Sequence, residues 1–154
     1  MQHKLAVIGL GNTLRRDDGI GIVILESLLN FYKNENIDYL NFGIASFDLI
    51  HRLENYKKVL LVDAINANLE PGELKIFELS KINFNLKDKI ISSHELNLKN
   101  IFELCKKFKI KTKIYVAGIQ IKDVSWEEGL SQELEEKKEK IIQEINKFIA
   151  EVFE

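Results

Sequence analysis

The stretch KVLLVDAI at positions 58–65 constrains the fold more than any other in the chain. It is apolar at four consecutive positions, 59–62, and again at 64 and 65, so a strand here buries both of its faces instead of alternating between core and water. Such a strand belongs inside a largely parallel sheet with helices packed on each side. KLAVIGL (4–10), IDYLNF (37–42) and KIYVAGI (113–119) read as further strands, and ELKIFEL (73–79), entered from the turn NLEPGEL (68–74), as an antiparallel edge strand. Longer runs with helical spacing separate them. From about Asp17 the chain sets Ile20, Ile24, Leu28 and Phe31 on one face, and SFDLIHRLENY (46–56) is a second helix. HELNLKNIFELCKKF (94–108) repeats at Leu98, Ile101, Phe102 and Cys105; the tail from Ser131 carries Leu134, Ile141, Ile145, Phe148 and Val152 on one stripe. Strands alternating with helices predict an α/β fold: a mostly parallel, twisted sheet with right-handed crossovers, forming a single domain over residues 1–154.

A chain of 154 residues can bury roughly two-thirds of its unfolded surface without staples, so neither disulfides nor a structural metal is required. The formal net charge of −2 gives no basic excess to draw the protein onto nucleic acid or an anionic membrane. Cys105 is the only cysteine, which excludes an intrachain disulfide and fits a reducing cytoplasm. The apolar run near the N-terminus spans only about six residues, too short for a signal peptide or a membrane span.

In parallel α/β sheets ligands gather beyond the carboxyl ends of the strands. Those ends carry the loop GNTLRRDDG after the first strand, Asp63 closing the third, and SSHEL (92–96) before a helix. Asp18, Asp63 and His94 are therefore the candidates to converge on one rim. Two carboxylates and an imidazole suit a transition metal such as Zn²⁺ or Ni²⁺, with positions left open for a substrate group. Asp17 reads as a helix N-cap, whereas a second acid at the next position adds repulsion that a cap does not need. Asp63 interrupts a buried strand and must be bonded or ligating, because an unpartnered buried carboxylate costs several kcal/mol. Ser92 and Glu95 form an S-x-x-E capping box that would place His94 in a first helical turn, where the helix dipole keeps the imidazole neutral.

Several other chemistries are excluded. The dinucleotide fingerprint needs a third glycine where this chain has Leu14, after Gly9 and Gly11. No P-loop, G-x-S-x-G elbow or H-E-x-x-H occurs. Cys105 lies on the apolar side of its helix, as packing and not as a nucleophile. His3 sits in the terminus and His51 on the solvent side of a helix.

GLGNTLRRDDGIG, VLLVDAI, ISSHEL and AGIQIKDVSWEEGLSQEL together resemble the hydrogenase maturation proteases, peptidases that trim the C-terminus of the large-subunit precursor of nickel–iron hydrogenases. The resemblance implies a three-layer α/β/α fold and a metal-binding, catalytic trio at Asp18, Asp63 and His94. It implies that the nickel arrives in the precursor, so that no tightly bound cofactor belongs to the enzyme itself, and that the partner is that precursor, met by a monomer. Many relatives have an Asp-Gly-Gly-Thr type turn after the second strand; this chain has Asn41, Phe42, Gly43 and Ile44, which alters a wall of the cleft. Gly9, Gly11 and Gly19 would permit tight turns, Gly43 and Gly118 would line the cleft, and Ile119, Gln120 and Trp126 would grip an extended tail. Two other readings stay open: a non-catalytic metal-binding hydrogenase assembly factor, and a small nucleotide-binding α/β domain.

Overall fold

A computed structural model describes residues 5–82 and 96–153 of the chain. Its five strands are β1 (Leu5–Leu10), β2 (Ile37–Gly43), β3 (Lys58–Ile65), β4 (Leu74–Glu78) and β5 (Lys113–Gln120). They form one sheet in the order β2-β1-β3-β5-β4. β1 pairs in parallel with β2 and β3, β3 pairs in parallel with β5, and β4 closes the edge antiparallel to β5. The strand limits match the sequence reading to within a residue or two.

Helices cover both faces. Val7, Leu60, Val62, Ala117 and Ile119 point toward α1 (Ile20–Phe31) and α4 (Gln132–Val152). Their neighbours in sequence, Ala6, Ile8, Leu61, Ile65 and Val116, point toward α2 (Phe47–Leu53) and α3 (Leu98–Lys107). This is the three-layer arrangement that KVLLVDAI demands: Leu60, Leu61 and Val62 are each fully buried, at roughly 1.5–3 kcal/mol per side chain. Among the described residues no helix is long and apolar enough to cross a membrane.

Three expectations need correction. Phe31 is on the apolar stripe of α1 by angle, but it is the last residue of the helix and is 77% exposed, beyond the elements on which the stripe packs. Gly9 lies inside β1 and makes no turn; a Cβ there would stand 2.9 Å from both the Gly21 carbonyl oxygen and Leu25 Cβ. α3 begins at Leu98, where Asn97 accepts from the Asn100 amide at 2.9 Å and Asn100 reciprocates at 3.1 Å. α3 thus starts later than the stretch 94–108 read as helical, from the pair Asn97 and Asn100. Ser92, His94 and Glu95 themselves lie outside the described residues, as does His3.

The chain leaves β1 for β2 on one side and then returns to β3 on the other, so the carboxyl ends of β1 and β3 flank the topological switch point. Helix α1 is seated against that point by glycine. A Cβ on Gly21 would stand 2.3 Å from the carbonyl oxygens of both Leu10 and Val62. Gly21→Ala is expected to destabilise the protein by about 1–3 kcal/mol, read as a drop in Tm of about 2–4 °C per kcal/mol, because backbone has to move. The opposite sign is expected at the end of α3. There Ile110 donates to the Cys105 carbonyl and Lys109, at φ +54°, donates to that of Lys106, a left-handed terminus usually filled by glycine. Lys109→Gly should add about 0.5–1 kcal/mol in denaturant unfolding, since it relieves the strained backbone and thins the lysines at 106, 107, 109, 111 and 113.

Candidate active site

The loop that follows β1 folds back on its own glycine. Gly11 has φ +145°, and a Cβ there would lie 2.2 Å from the Asp18 carbonyl oxygen, so only glycine fits. The N–H groups of this turn are spent internally. Gly11 donates to the Gly43 carbonyl at 2.8 Å, Asn12 to Asp18 at 3.3 Å, Arg15 to Asn12 at 3.1 Å and Asp18 to Arg15 at 3.0 Å. Little is left to cradle a phosphate, in agreement with the missing third glycine of the dinucleotide fingerprint.

The loop then enters a short 3-10 turn, Arg16–Gly19, that holds both aspartates. Asp17 is fully buried, and its carboxylate accepts four bonds from the segment after β5. Oδ2 receives the amides of Lys122 (2.8 Å) and Asp123 (2.9 Å) and the Ser131 hydroxyl (2.8 Å); Oδ1 receives the Ser131 amide (2.7 Å). Asp17 is therefore not an N-cap, and neither the 3-10 turn nor α1 has a side-chain cap. The 3-10 turn already takes Asp17 into helical geometry, with its own carbonyl bonded to Ile20, and its side chain turns to the segment after β5. Arg16, strained at φ +42°, reinforces the same junction: its amide donates to the Glu127 carbonyl (2.9 Å), Nη1 to Glu127 Oε2 (2.8 Å) and Nη2 to the Leu130 carbonyl (3.3 Å). Arg15 donates from Nε to the Val124 carbonyl at 3.1 Å and stacks its guanidinium 5.1 Å from the centre of the Trp126 ring.

The next residue, Asp18, is 2% exposed, and its 3-10 turn packs against β3. Asp63, 1% exposed, sits near the carboxyl end of β3 opposite Gly118 of β5, and its Oδ1 accepts from the Ala64 amide at 2.8 Å. It shares the strand parity of Leu61 and Ile65 and so faces the α2/α3 side. Two buried carboxylates, one on the turn that follows β1 and one on β3, thus stand at one switch point. Among the described residues no group of three His, Cys, Asp or Glu is gathered to hold a metal. A trio at this point requires a ligand from outside them, as the expected His94 is; the described chain resumes two residues later at Leu96, buried in the core on the α2/α3 side.

Three expected cleft residues have other tasks. Ile119 is wholly buried in the core, and Gly118 is shut in by Ile65, whose side chain would lie 2.8 Å from an added Cβ. Gln120 is buried too: its Oε1 accepts from the amides of Ala67 (2.8 Å) and Leu69 (3.2 Å), while Nε2 donates to Asn66 Oδ1 (3.1 Å) and the Ile121 carbonyl (3.0 Å). These bonds close the loop after β3, so Gln120 grips no tail. Trp126, by contrast, is 75% exposed. Burial pushes the Cys105 thiol up to about 11, which suits packing and opposes thiolate chemistry.

The family model described as hydrogenase maturation protease matches residues 22–148. The chain belongs to the hydrogenase maturation protease family. It is 28% identical over 159 aligned positions to a putative hydrogenase maturation protease of Methanocaldococcus jannaschii, covering 97% of this chain and 90% of that one. It is 32% identical over 87 residues to the coenzyme F420 hydrogenase subunit delta of Methanothermobacter thermautotrophicus, a match spanning 51% of this chain and 54% of that relative. In structure it resembles the hydrogenase maturation protease HybD of Thermococcus kodakarensis, at a TM-score of 0.72 and 27% identity over 94% of this chain and 98% of that one. The maturating endopeptidase HybD of Escherichia coli shares the fold at a TM-score of 0.82 and 23% identity, with 96% and 93% covered. The family so matched is one of proteases.

Sequence reasoning missed Ser131 and the work of Arg15 and Arg16. Nothing local signals a bond between residues 114 positions apart; the one cue was a buried acid beside another acid. Replacing Asp17 by Ala is expected to cost about 2–4 kcal/mol in denaturant unfolding, because several donors lose their acceptor, against about 1 kcal/mol for a helix cap. Faster hydrogen exchange at the amides of Lys122, Asp123 and Ser131 would accompany it.

Proposed function

We propose that this maturation protease removes a short C-terminal extension from the nickel-loaded large-subunit precursor of a nickel–iron hydrogenase, with Asp18, Asp63 and His94 gripping the precursor's nickel. The observation that carries the reading is the pair of buried carboxylates, Asp18 and Asp63, at the switch point of a fold whose family trims hydrogenases. Oxygen donors from a turn and a strand with a nitrogen donor from a third segment suit nickel and leave positions for groups of the precursor. The nickel belongs to the substrate. Held there, it polarises the scissile carbonyl or the attacking water as a Lewis acid, so the chemistry needs no protein nucleophile. The chain's own part is to orient: Asp17 fixes the segment after β5 against the turn bearing Asp18, and Ala64 N–H sets one oxygen of Asp63. The enzyme acts as a cytoplasmic monomer in this reading.

A second reading has one observation in its favour. The relative named as an F420 hydrogenase subunit is named as a component, not a protease. A non-catalytic assembly factor would keep the trio yet release no peptide.

The test incubates purified nickel-loaded precursor with the wild type and with Asp18→Ala, Asp63→Ala and His94→Ala, followed by mass analysis of the precursor's C-terminus. Wild type should release the extension, and each variant should be slower by at least about a hundredfold, since loss of even an outer-shell partner of a metal ligand costs about 10–100-fold. Equal cleavage by all four sinks the assigned trio; intact precursor after incubation with wild type favours the assembly factor.

A further inference from the structure

Eight large apolar side chains are strongly exposed among the described residues, and the topology sorts them into two groups. Leu29, Phe31 and Tyr32 end α1 and Phe108 follows α3, at the end of the sheet where the parallel strands begin. Leu14, Ile44, Phe47 and Trp126 lie in the segments that leave β1, β2 and β5, at the end where those strands finish. The second group is joined by backbone contacts. The segment bearing Leu14 is tied to that bearing Ile44 by the Gly11 amide on the Gly43 carbonyl (2.8 Å). It is tied to the Trp126 segment by the bridge between Arg15 and Glu127 and by the stack of Arg15 on the indole at 5.1 Å.

In sheet order these side chains stand over β2, β1 and β5, with β3 and Asp63 between the last two and Asp18 on the β1 loop. The apolar residues therefore frame the two buried carboxylates. From β2 to β5 is three strand spacings, about 14 Å at roughly 4.8 Å each, so the exposed apolar side chains are spread across the end of the sheet and not along a single groove. A folded surface covers that breadth at once. The four side chains expose on the order of 500 Å², most of the roughly 800 Å² that one partner contributes to a standard interface, where large exposed apolar areas on monomers mark interaction sites. Beside Phe47 a hollow of about 510 Å³, lined also by Ser46, Leu96, Asn100 and Leu104, could receive a side chain of such a partner. The buried acids supply the charge complement to a divalent cation.

We infer that Leu14, Ile44, Phe47 and Trp126 form a docking rim that seats a folded, metal-bearing protein over Asp18 and Asp63. The identity of that partner as the hydrogenase precursor rests on the function proposed above; the rim itself does not need cleavage to occur. Trp126 and Phe47 are specificity-determining residues of this surface.

Calorimetric titration of purified nickel-loaded precursor tests it, with wild type, Trp126→Ser, Phe47→Ser and, as a control from the opposite end, Phe31→Ser. Thermal melts of each variant show that exposed substitutions leave it folded. Each rim variant should weaken binding at least about tenfold, as expected for an aromatic anchor, while Phe31→Ser stays within about twofold. Unchanged affinity in both rim variants overturns the rim. So does absence of binding by wild type, equal affinity for a synthetic peptide of the extension alone, or self-association of the wild type that both rim variants abolish. Cleavage followed in the same mixtures separates the two proposals: tight, rim-dependent binding without a cut defeats the proteolytic reading alone, whereas efficient cutting with rim-independent binding defeats the rim alone.

Discussion

The first turn of α1 rests on backbone, not on side chains. Gly21 meets the carbonyl oxygens of Leu10 and Val62, and Gly9 of β1 faces the Gly21 carbonyl in turn, so helix and sheet approach at a distance that no other residue at either position permits. Asp18 stands three residues before Gly21 and Asp63 one residue after Val62. Their shared position at the switch point follows from this one seating. A helix held further out by a side chain would carry its preceding turn, and Asp18 with it, away from β3.

The adjacent acids of the DDG motif divide two tasks that one residue could not combine. Asp17 is saturated: four donors converge on its two oxygens, which fixes the segment from Lys122 to Ser131 and with it the start of α4. A carboxylate so occupied has little capacity left for a metal. Asp18 follows on a turn made rigid by its neighbour and by the strained Arg16. Backbone strain of about 1–3 kcal/mol at Arg16 persists because three hydrogen bonds from the one residue hold it there.

Much of this was legible in the sequence where the physics is local or periodic. An uninterrupted apolar strand dictates a two-sided sheet, and the limits of β3 read from KVLLVDAI are those observed. The acids at the strand ends were legible for the opposite reason, since a buried Asp63 contradicts its own strand. What was not legible depends on distant segments. Asp17 looked like a cap because local rules assign an acid before a helix to its N-terminus; its real donors are more than 100 positions away. Gln120 looked like a cleft residue because it ends a strand, yet its amide completes the loop of residues 66–69. Phe31 kept the helical phase of its stripe after the surface that rewards it had ended.

The departure at Asn41–Ile44 takes on meaning in the same terms. Asn41 Oδ1 accepts from the Gly43 amide at 2.8 Å, a bond that an aspartate would make equally well, and Gly43 at φ +55° keeps glycine where the left-handed turn needs it. The backbone of the turn, and the Gly43 carbonyl that receives Gly11, are thereby retained. What changes is surface chemistry: one negative charge is absent, Phe42 packs against the α2/α3 core with Arg52 5.7 Å from its ring centre, and Ile44 stands 54% exposed. The substitution therefore trades charge for apolar area on the wall nearest the Gly11 loop and leaves Asp18 and Asp63 untouched. A change of that kind alters which partner fits the edge of the sheet more than what the edge can do to it.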